Sequence, residues 1–170
     1  MKKILLAVLM VLPLTVFAQV KLAHVNSQEI VMAMPETAAA QKTLKDLQDK
    51  YTQEIKRTQD ELQKKFAEYQ KAISDSGDKL PANIQDRRRK ELEDMSQRAQ
   101  QFQSEAQQNL QNKEQELMQP IFKKLGDAIS AVGTAGGYTY IIDLARTPLA
   151  YVSPSATDVT ANVKTKLGIK

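Results

Sequence analysis

The sequence predicts a mainly α protein with a small β body. A long antiparallel helical hairpin, a coiled-coil arm, is inserted into a small strand/helix oligomerisation body built from the two chain ends. Three observations predict this. First, apolar positions recur at gaps of three, four and four through Leu44, Leu47, Tyr51, Ile55, Thr58, Leu62, Phe66, Tyr69 and Ile73, which is the spacing of one helix face. Second, the segment 74–81 reads SDSGDKLP, and a similar stripe then returns through Ile84, Met95, Phe102, Ala106, Leu110, Leu117 and Ile121. Third, the segments outside the stripes carry short strand patterns, at 20–25 and at 138–143.

The first 18 residues stand apart from this plan. Lys2 and Lys3 precede an apolar run at 4–16, which ends in Val16-Phe17-Ala18. A charged start, a short apolar core and small residues before a cleavage point predict a secretory signal peptide at 1–18. The run is shorter than the roughly 20 apolar residues that suit a bilayer-spanning anchor. The chain has no cysteine. That excludes a disulfide framework, thiol chemistry, cysteine-ligated zinc and lipidation of a cysteine at the cleavage point.

The body is expected at 19–35 and 133–170. Asn26 with Glu29 three residues on predicts a helix start. Ile30, Val31 and Met34 follow, and Pro35 interrupts them, so a short helix should end there and a new one begin. The arm is expected at 36–132, with its tip near 74–81. Its outgoing helix, over about 36–73, is rich in Lys, Gln, Glu, Asp and Ala and free of glycine and proline inside. The returning helix should bend near Pro120, which removes one backbone donor. It should continue through Phe122, Leu125, Ile129 and Val132 to a glycine loop at 133–137. A repeat of eleven gives 3.67 residues per turn, which favours straight or slightly right-handed winding. Thr58, Arg88 and Lys113 interrupt the stripes, so the seam should be thin and soft toward the tip.

Beyond the glycines, 138–143 alternates as a strand and 149–152 reads as another. Ser155 with Asp158 suggests a second helix start, with Ala156, Val159, Val163 and Leu167 on one face. A body of 55 residues with exposed sheet edges is marginal alone. Self-association through Leu22, Val25, Tyr140 and Ile142 is the economical solution, and cyclic symmetry would point several arms the same way.

Charge is more informative by place than by sum. Loss of Lys2 and Lys3 would leave 22 basic against 20 acidic residues, a net of +2. The span 37–119 carries 15 of each sign. Yet Lys79, Arg87, Arg88, Arg89 and Lys90 crowd the arm's far end, opposed within that stretch by Asp86 alone. A solvated cluster that promotes solubility is the plain reading of this basic tip. Contact with anionic lipid or lipopolysaccharide is the functional one. Nucleic acid fits poorly, since no aromatic residues interleave with the arginines.

Nothing in the chain reads as an enzyme. His24 is the single histidine and lies in the first strand pattern, with no cysteine or clustered acids beside it. A structural role suits it better than metal binding or catalysis. No nucleophile elbow accompanies the serines. The glycines at 133–137 follow a helix and precede a strand, whereas phosphate loops have the reverse order. No cofactor is expected. The aromatic and thioether positions Tyr51, Phe66, Tyr69, Met95 and Phe102 are expected at the arm seam or facing a bound client.

The run KLAHVNSQEI at 21–30, the run YTYIID at 138–143, the run LAYV at 149–152 and the segment 155–164, with a helical hairpin between them, resemble the Skp/OmpH family of periplasmic chaperones. The resemblance covers the whole chain after the leader. It implies a homotrimer whose bodies join into a hub and whose three arms enclose a cavity. It also implies ATP-independent holding of unfolded outer-membrane proteins in the periplasm. The modest net charge departs from the more basic members of the family. The alternative is a structural or adaptor hairpin of the cell envelope, but adaptors of that kind carry longer flanking domains and should have an uninterrupted seam.

Overall fold

A computed structural model describes residues 20–76 and 80–169 of the chain. The expected leader at 1–18, and Gly77, Asp78 and Lys79 of the expected tip, lie outside the described residues. In order, the elements are β1 (Leu22–Val25), α1 (Ser27–Ala33), α2 (Pro35–Ser76), α3 (Ala82–Gly136), β2 (Tyr140–Asp143) and α4 (Thr160–Leu167).

β1 and β2 pair in parallel, with Leu22 opposite Tyr140, Ala23 opposite Ile141, His24 opposite Ile142 and Val25 opposite Asp143. Parallel partners need a long crossover, and here the entire helical hairpin supplies it. The other edge of β1 is covered by the segment before α4. His24 N–H donates to the Thr157 carbonyl at 2.9 Å, and Val159 N–H donates to the His24 carbonyl at 2.9 Å. At His24, β1 therefore runs between two neighbours.

Helix α1 starts as its sequence suggests. Asn26 Oδ1 accepts from Glu29 N–H at 3.1 Å. The Glu29 carboxylate does not return to Asn26 but bonds Lys164 of α4 at 2.6 Å. The Asn26 N–H finds the Thr160 hydroxyl instead, at 3.0 Å. Met34 breaks α1 from α2 with φ −72° and ψ 129°, the extended geometry that the ring of Pro35 imposes on the residue before it.

The hydrophobic core lies where the body meets the arm's base. Ala23, Val25, Ile30, Leu125, Ala128, Val159 and Val163 form one buried cluster, with Ile141 and Leu167 packed against it. Met34, Ala40 and Ile121 form a second. Ile30 and Val163 are fully buried, and burial of side chains this size stabilises by about 1.5–3 kcal/mol each. Ile121 and Leu125 occupy the buried face of α3 while Phe122 points out, exposed. The expectation of Phe122 on the apolar face is thus corrected. One residue turns the helix by 100°, and the spacing through Leu117, Ile121, Leu125 and Ala128 excludes it.

Three further expectations change. The glycines at 133–137 are not a loop: α3 continues through Gly133 and Gly136, and Gly137 alone of these takes positive φ, at 63°. Gly137 N–H donates to Thr134 O at 3.2 Å and Tyr138 N–H to Gly133 O at 3.1 Å, the paired bonds of a Schellman cap. Residues 149–152 are not a strand, because nothing among the described residues pairs with them and strand propensity alone does not make a ladder. Helix α4 begins at Thr160, not near Ser155. The Ser155 hydroxyl bonds Ser153, and Asp158 Oδ1 accepts from Thr160 N–H at 2.8 Å. Helix α3 runs through Pro120 as one continuous element.

Candidate functional site: the arm and the outer face of the body

The arm consists of α2, 42 residues, packed along α3, 55 residues. At 1.5 Å per residue α2 extends about 63 Å. The outgoing stripe is half-buried at Leu44, Leu47, Tyr51, Ile55, Thr58, Leu62 and Tyr69. On α3 the same is true of Ile84, Met95, Phe102, Leu110 and Leu117, and Ala106 is buried. The sequence stripe also omitted Leu92 and Ala99, both half-buried. With them the half-buried positions follow an eleven-residue series, Arg88, Ala99, Leu110 and the buried Ile121. Arg88 and Lys113 occupy seam positions and are half-buried; their aliphatic stems cover the seam where a larger apolar residue would otherwise lie.

The five candidate arm residues take different positions. Tyr51 and Phe102 meet across the seam edge to face, with centroids 5.9 Å apart and planes at 74°. Such a pair adds about 0.5–1.5 kcal/mol beyond its buried area. Tyr69 bridges the helices nearer the tip, its hydroxyl donating to the Gln85 carbonyl at a long 3.4 Å. Met95 is half-buried in the seam. Phe66 is 53% exposed and, with Leu62 and Leu92, lines an open apolar groove on the arm.

The tip is less basic in space than in sequence. Arg89 pairs with Asp86 at 2.7 Å. Arg87 and Arg88 line a cleft with Lys65, Glu68, Tyr69 and Glu91. Lys65 of α2 bonds Glu91 of α3 at 2.8 Å. The hydrogen bond and charge of Lys65, helped by Arg87 and Arg88 against partial desolvation, hold the Glu91 carboxyl below its ordinary range. The same bond raises the Lys65 ammonium. Counting along the chain set Asp86 alone against the cations; the hairpin adds Glu68 and Glu91 from neighbouring turns. Lys90 is exposed.

The outer face of the sheet carries Leu22, His24, Tyr140 and Ile142. Alternation places these side chains away from the core, while Ala23, Val25 and Ile141 point into it. Tyr140 is 64% and Leu22 51% exposed. Together with Leu149 and Tyr151 from the segment after β2, Leu22, His24 and Ile142 line an open groove. Tyr151 is 77% exposed. Val25 is buried by its own chain, so it belongs to the body's core and not to a surface that a second subunit could touch. His24 Nε2 lies 3.8 Å from Asp158 Oδ2.

No group of three or more His, Cys, Asp or Glu is placed to hold a metal ion among the described residues. Among them, too, no helix is long and apolar enough to cross a membrane.

The sequence profile of the family described as outer membrane protein (OmpH-like) matches residues 21–167. This span takes in both strands, the hairpin and α4. The chain belongs to the OmpH-like family. Two relatives, each named chaperone protein Skp, are similar to it: that of Yersinia enterocolitica is 31% identical over 96% of this chain and 97% of its own. That of Pectobacterium atrosepticum is 32% identical over 84% of this chain and 82% of its own. The crystal structure of an OmpH-like protein from Caulobacter crescentus CB15 shares the fold, with a TM-score of 0.69 over 86% of this chain and 82% of that one at 18% identity. The OmpH-like fold thus combines a body closed by both chain ends with a long arm that has little core of its own.

Proposed function

We propose that this chain is an ATP-independent holdase chaperone of the periplasm, which keeps unfolded outer-membrane proteins from aggregating. The observation that carries the reading is the arm's seam, half-buried along most of its length and open at Phe66, on a chain whose full-length relatives are named chaperones. Unfolded barrel strands present alternating apolar side chains and unpaired backbone groups that associate edge to edge. Many weak contacts from linked arms retain such a client without fixing its shape. Phe66, with Leu62 and Leu92, is the client-facing patch; Tyr51, Met95 and Phe102 hold the seam.

The working assembly is a homotrimer joined through Leu22, Tyr140 and Ile142, with three arms around a cavity. The exposed apolar side chains of the outer sheet face and of Tyr151 support this. The chain reaches the periplasm through a cleaved signal peptide at 1–18, carries no cofactor and catalyses no reaction. The paired carboxylates at the tip make it a solvated, mixed-charge surface in preference to a lipid- or lipopolysaccharide-binding patch. An adaptor role is not favoured by the chaperone relatives.

Light scattering after dilution of a urea-unfolded outer-membrane barrel protein, without ATP, tests the function. Aggregation should be suppressed and should saturate near one client per three chains. Unchanged aggregation over a wide excess of the protein would contradict the holdase reading.

A further inference from the structure

The two flanks of the arm differ in chemistry. Toward the tip, Leu62, Gln63 and Phe66 of α2 line the open groove with Leu92, Glu93 and Ser96 of α3. The charged cleft of Lys65, Glu68, Arg87 and Glu91 opens on the other side of the seam, and half-buried Leu92 lines both. Eleven residues bring a helix back to nearly the same face, so each flank can be followed toward the base. From Gln63, steps of eleven reach Thr52 and Gln41, and Gln70, Gln59 and Gln48 run beside them. From Ser96 the same steps reach Gln107 and Met118, and Gln100, Gln103 and Gln111 fill that side. All of these glutamines are exposed.

Met118 opens a second apolar groove with Phe122, beside Glu114 and Gln115. Glu114 and Gln115 stand two periods on from Leu92 and Glu93, so the second groove repeats the first on the same flank. Between the grooves the charges of α3 fall elsewhere. Arg98 is one period from Arg87 of the cleft, Lys113 two periods from Glu91, and Glu105 seven residues on from Arg98. On α2, Glu54 and Arg57 stand one period before Lys65 and Glu68 and pair with each other. Lys45 and Lys56 mark only the outer margin of the amide flank.

Three properties fix what this flank can hold. A glutamine amide both donates and accepts, as a peptide group does, so it can pair with free backbone without the cost of burying a charge. The apolar grooves at the two ends take large side chains. Their separation sets a length: Ser96 to Met118 spans about 33 Å of helix, which an extended strand at about 3.3 Å per residue covers in about ten residues. A membrane-spanning barrel strand has about 9–11 residues, and barrels carry aromatic girdles at both interfaces. We propose that one unfolded barrel strand lies along the amide flank, its end aromatics in the Phe66 and Phe122 grooves and its unpaired peptide groups on the glutamine amides. This rests on the holdase reading above.

Binding of a dye-labelled, urea-unfolded outer-membrane barrel protein to the leaderless chain after dilution, read by fluorescence anisotropy, tests the track. Gln103→Glu/Gln107→Glu should raise the dissociation constant at least about fivefold. Gln103→Lys/Gln107→Lys should do the same, because a charge of either sign must be desolvated. Asn109→Glu/Asn112→Glu, at a similar level but off the flank, should stay within about twofold of wild type. Phe122→Ser should weaken binding as Phe66→Ser does. Opposite effects of the two charges, or an equal loss in the asparagine variant, would overturn the assignment. A changed native mass of the glutamine variants would also overturn it, by making the flank a contact between copies. Wild-type binding with unaffected glutamine variants sinks this inference alone, whereas a wild type that binds no client sinks the holdase reading and the track with it.

Discussion

The body and the arm of this chain differ in how the same residue types are used. In the body, the short elements β1, α1 and α4 gather around one stretch of α3 and bury Val25, Ile30, Val159 and Val163 almost completely. In the arm, two helices several times longer share a stripe that is half-buried nearly throughout; beyond Ala40 and short of Ile121, Ala106 is the one buried hydrophobic residue among those described. Two helices alone enclose a methyl group, as at Ala106, but not a large side chain, whereas a third and fourth element can. The difference teaches that stability is concentrated at one end, and that the arm keeps apolar surface available because nothing else among the described residues covers it.

The strongest way to break the contrast is in the body. Ile30→Ala should lower stability by about 2–5 kcal/mol, read from the urea midpoint with an unchanged slope, while leaving the arm's helical signal intact until the body melts. Next, Tyr140→Glu with Ile142→Glu should dissociate the oligomer without unfolding the chain, since both side chains lie on the outer sheet face; an unchanged native mass would refute the assembly face. A smaller effect is expected in the seam. A double-mutant cycle of Tyr51→Ala and Phe102→Ala should give a coupling of about 1 kcal/mol.

Phe66→Ser should change stability by less than about 0.5 kcal/mol, yet weaken suppression of client aggregation several-fold. Equal chaperone activity would move the client patch elsewhere. The smallest effect concerns Asp158. Its carboxyl is depressed in the folded chain, so its contribution is present above the ordinary value of 3.8 and is lost as the pH falls through the lower, folded value. Acid titration of Asp158→Asn against wild type should show a difference that fades below about pH 4.

The arm was legible in the sequence because a helix face is written in spacing, and the eleven-residue series survives in the burial pattern down to Arg88 and Lys113. Pro35 and Asn26 were legible because their effects are local. What escaped was set by tertiary neighbours. The local glycine pattern makes Gly133 a loop residue, yet a Cβ there would lie at ordinary contact distance, 3.4 Å, from Ile141, and the helix carries it to close against β2. Residues 149–152 have strand-forming side chains and no strand to join among the described residues. Phe122 and Ile121 are adjacent and both apolar; the helical spacing with Leu117 and Leu125 puts Ile121 on the face that packs against Met34 and Ala40. The body face is half legible: Leu22, Tyr140 and Ile142 face outward, but the pairing register turns Val25 inward. At the tip, Lys65 meets Glu91 across 26 residues of chain, which no reading of local charge would pair.

Hydrogen exchange of the assembled protein, with and without a bound unfolded outer-membrane barrel protein, tests the division of labour most directly. The account predicts slow exchange at β1, α1, α4 and the adjoining part of α3, faster exchange along the arm, and client-induced protection on the arm around Leu62, Phe66 and Leu92. Uniform exchange over both regions, or protection confined to the body, would contradict it.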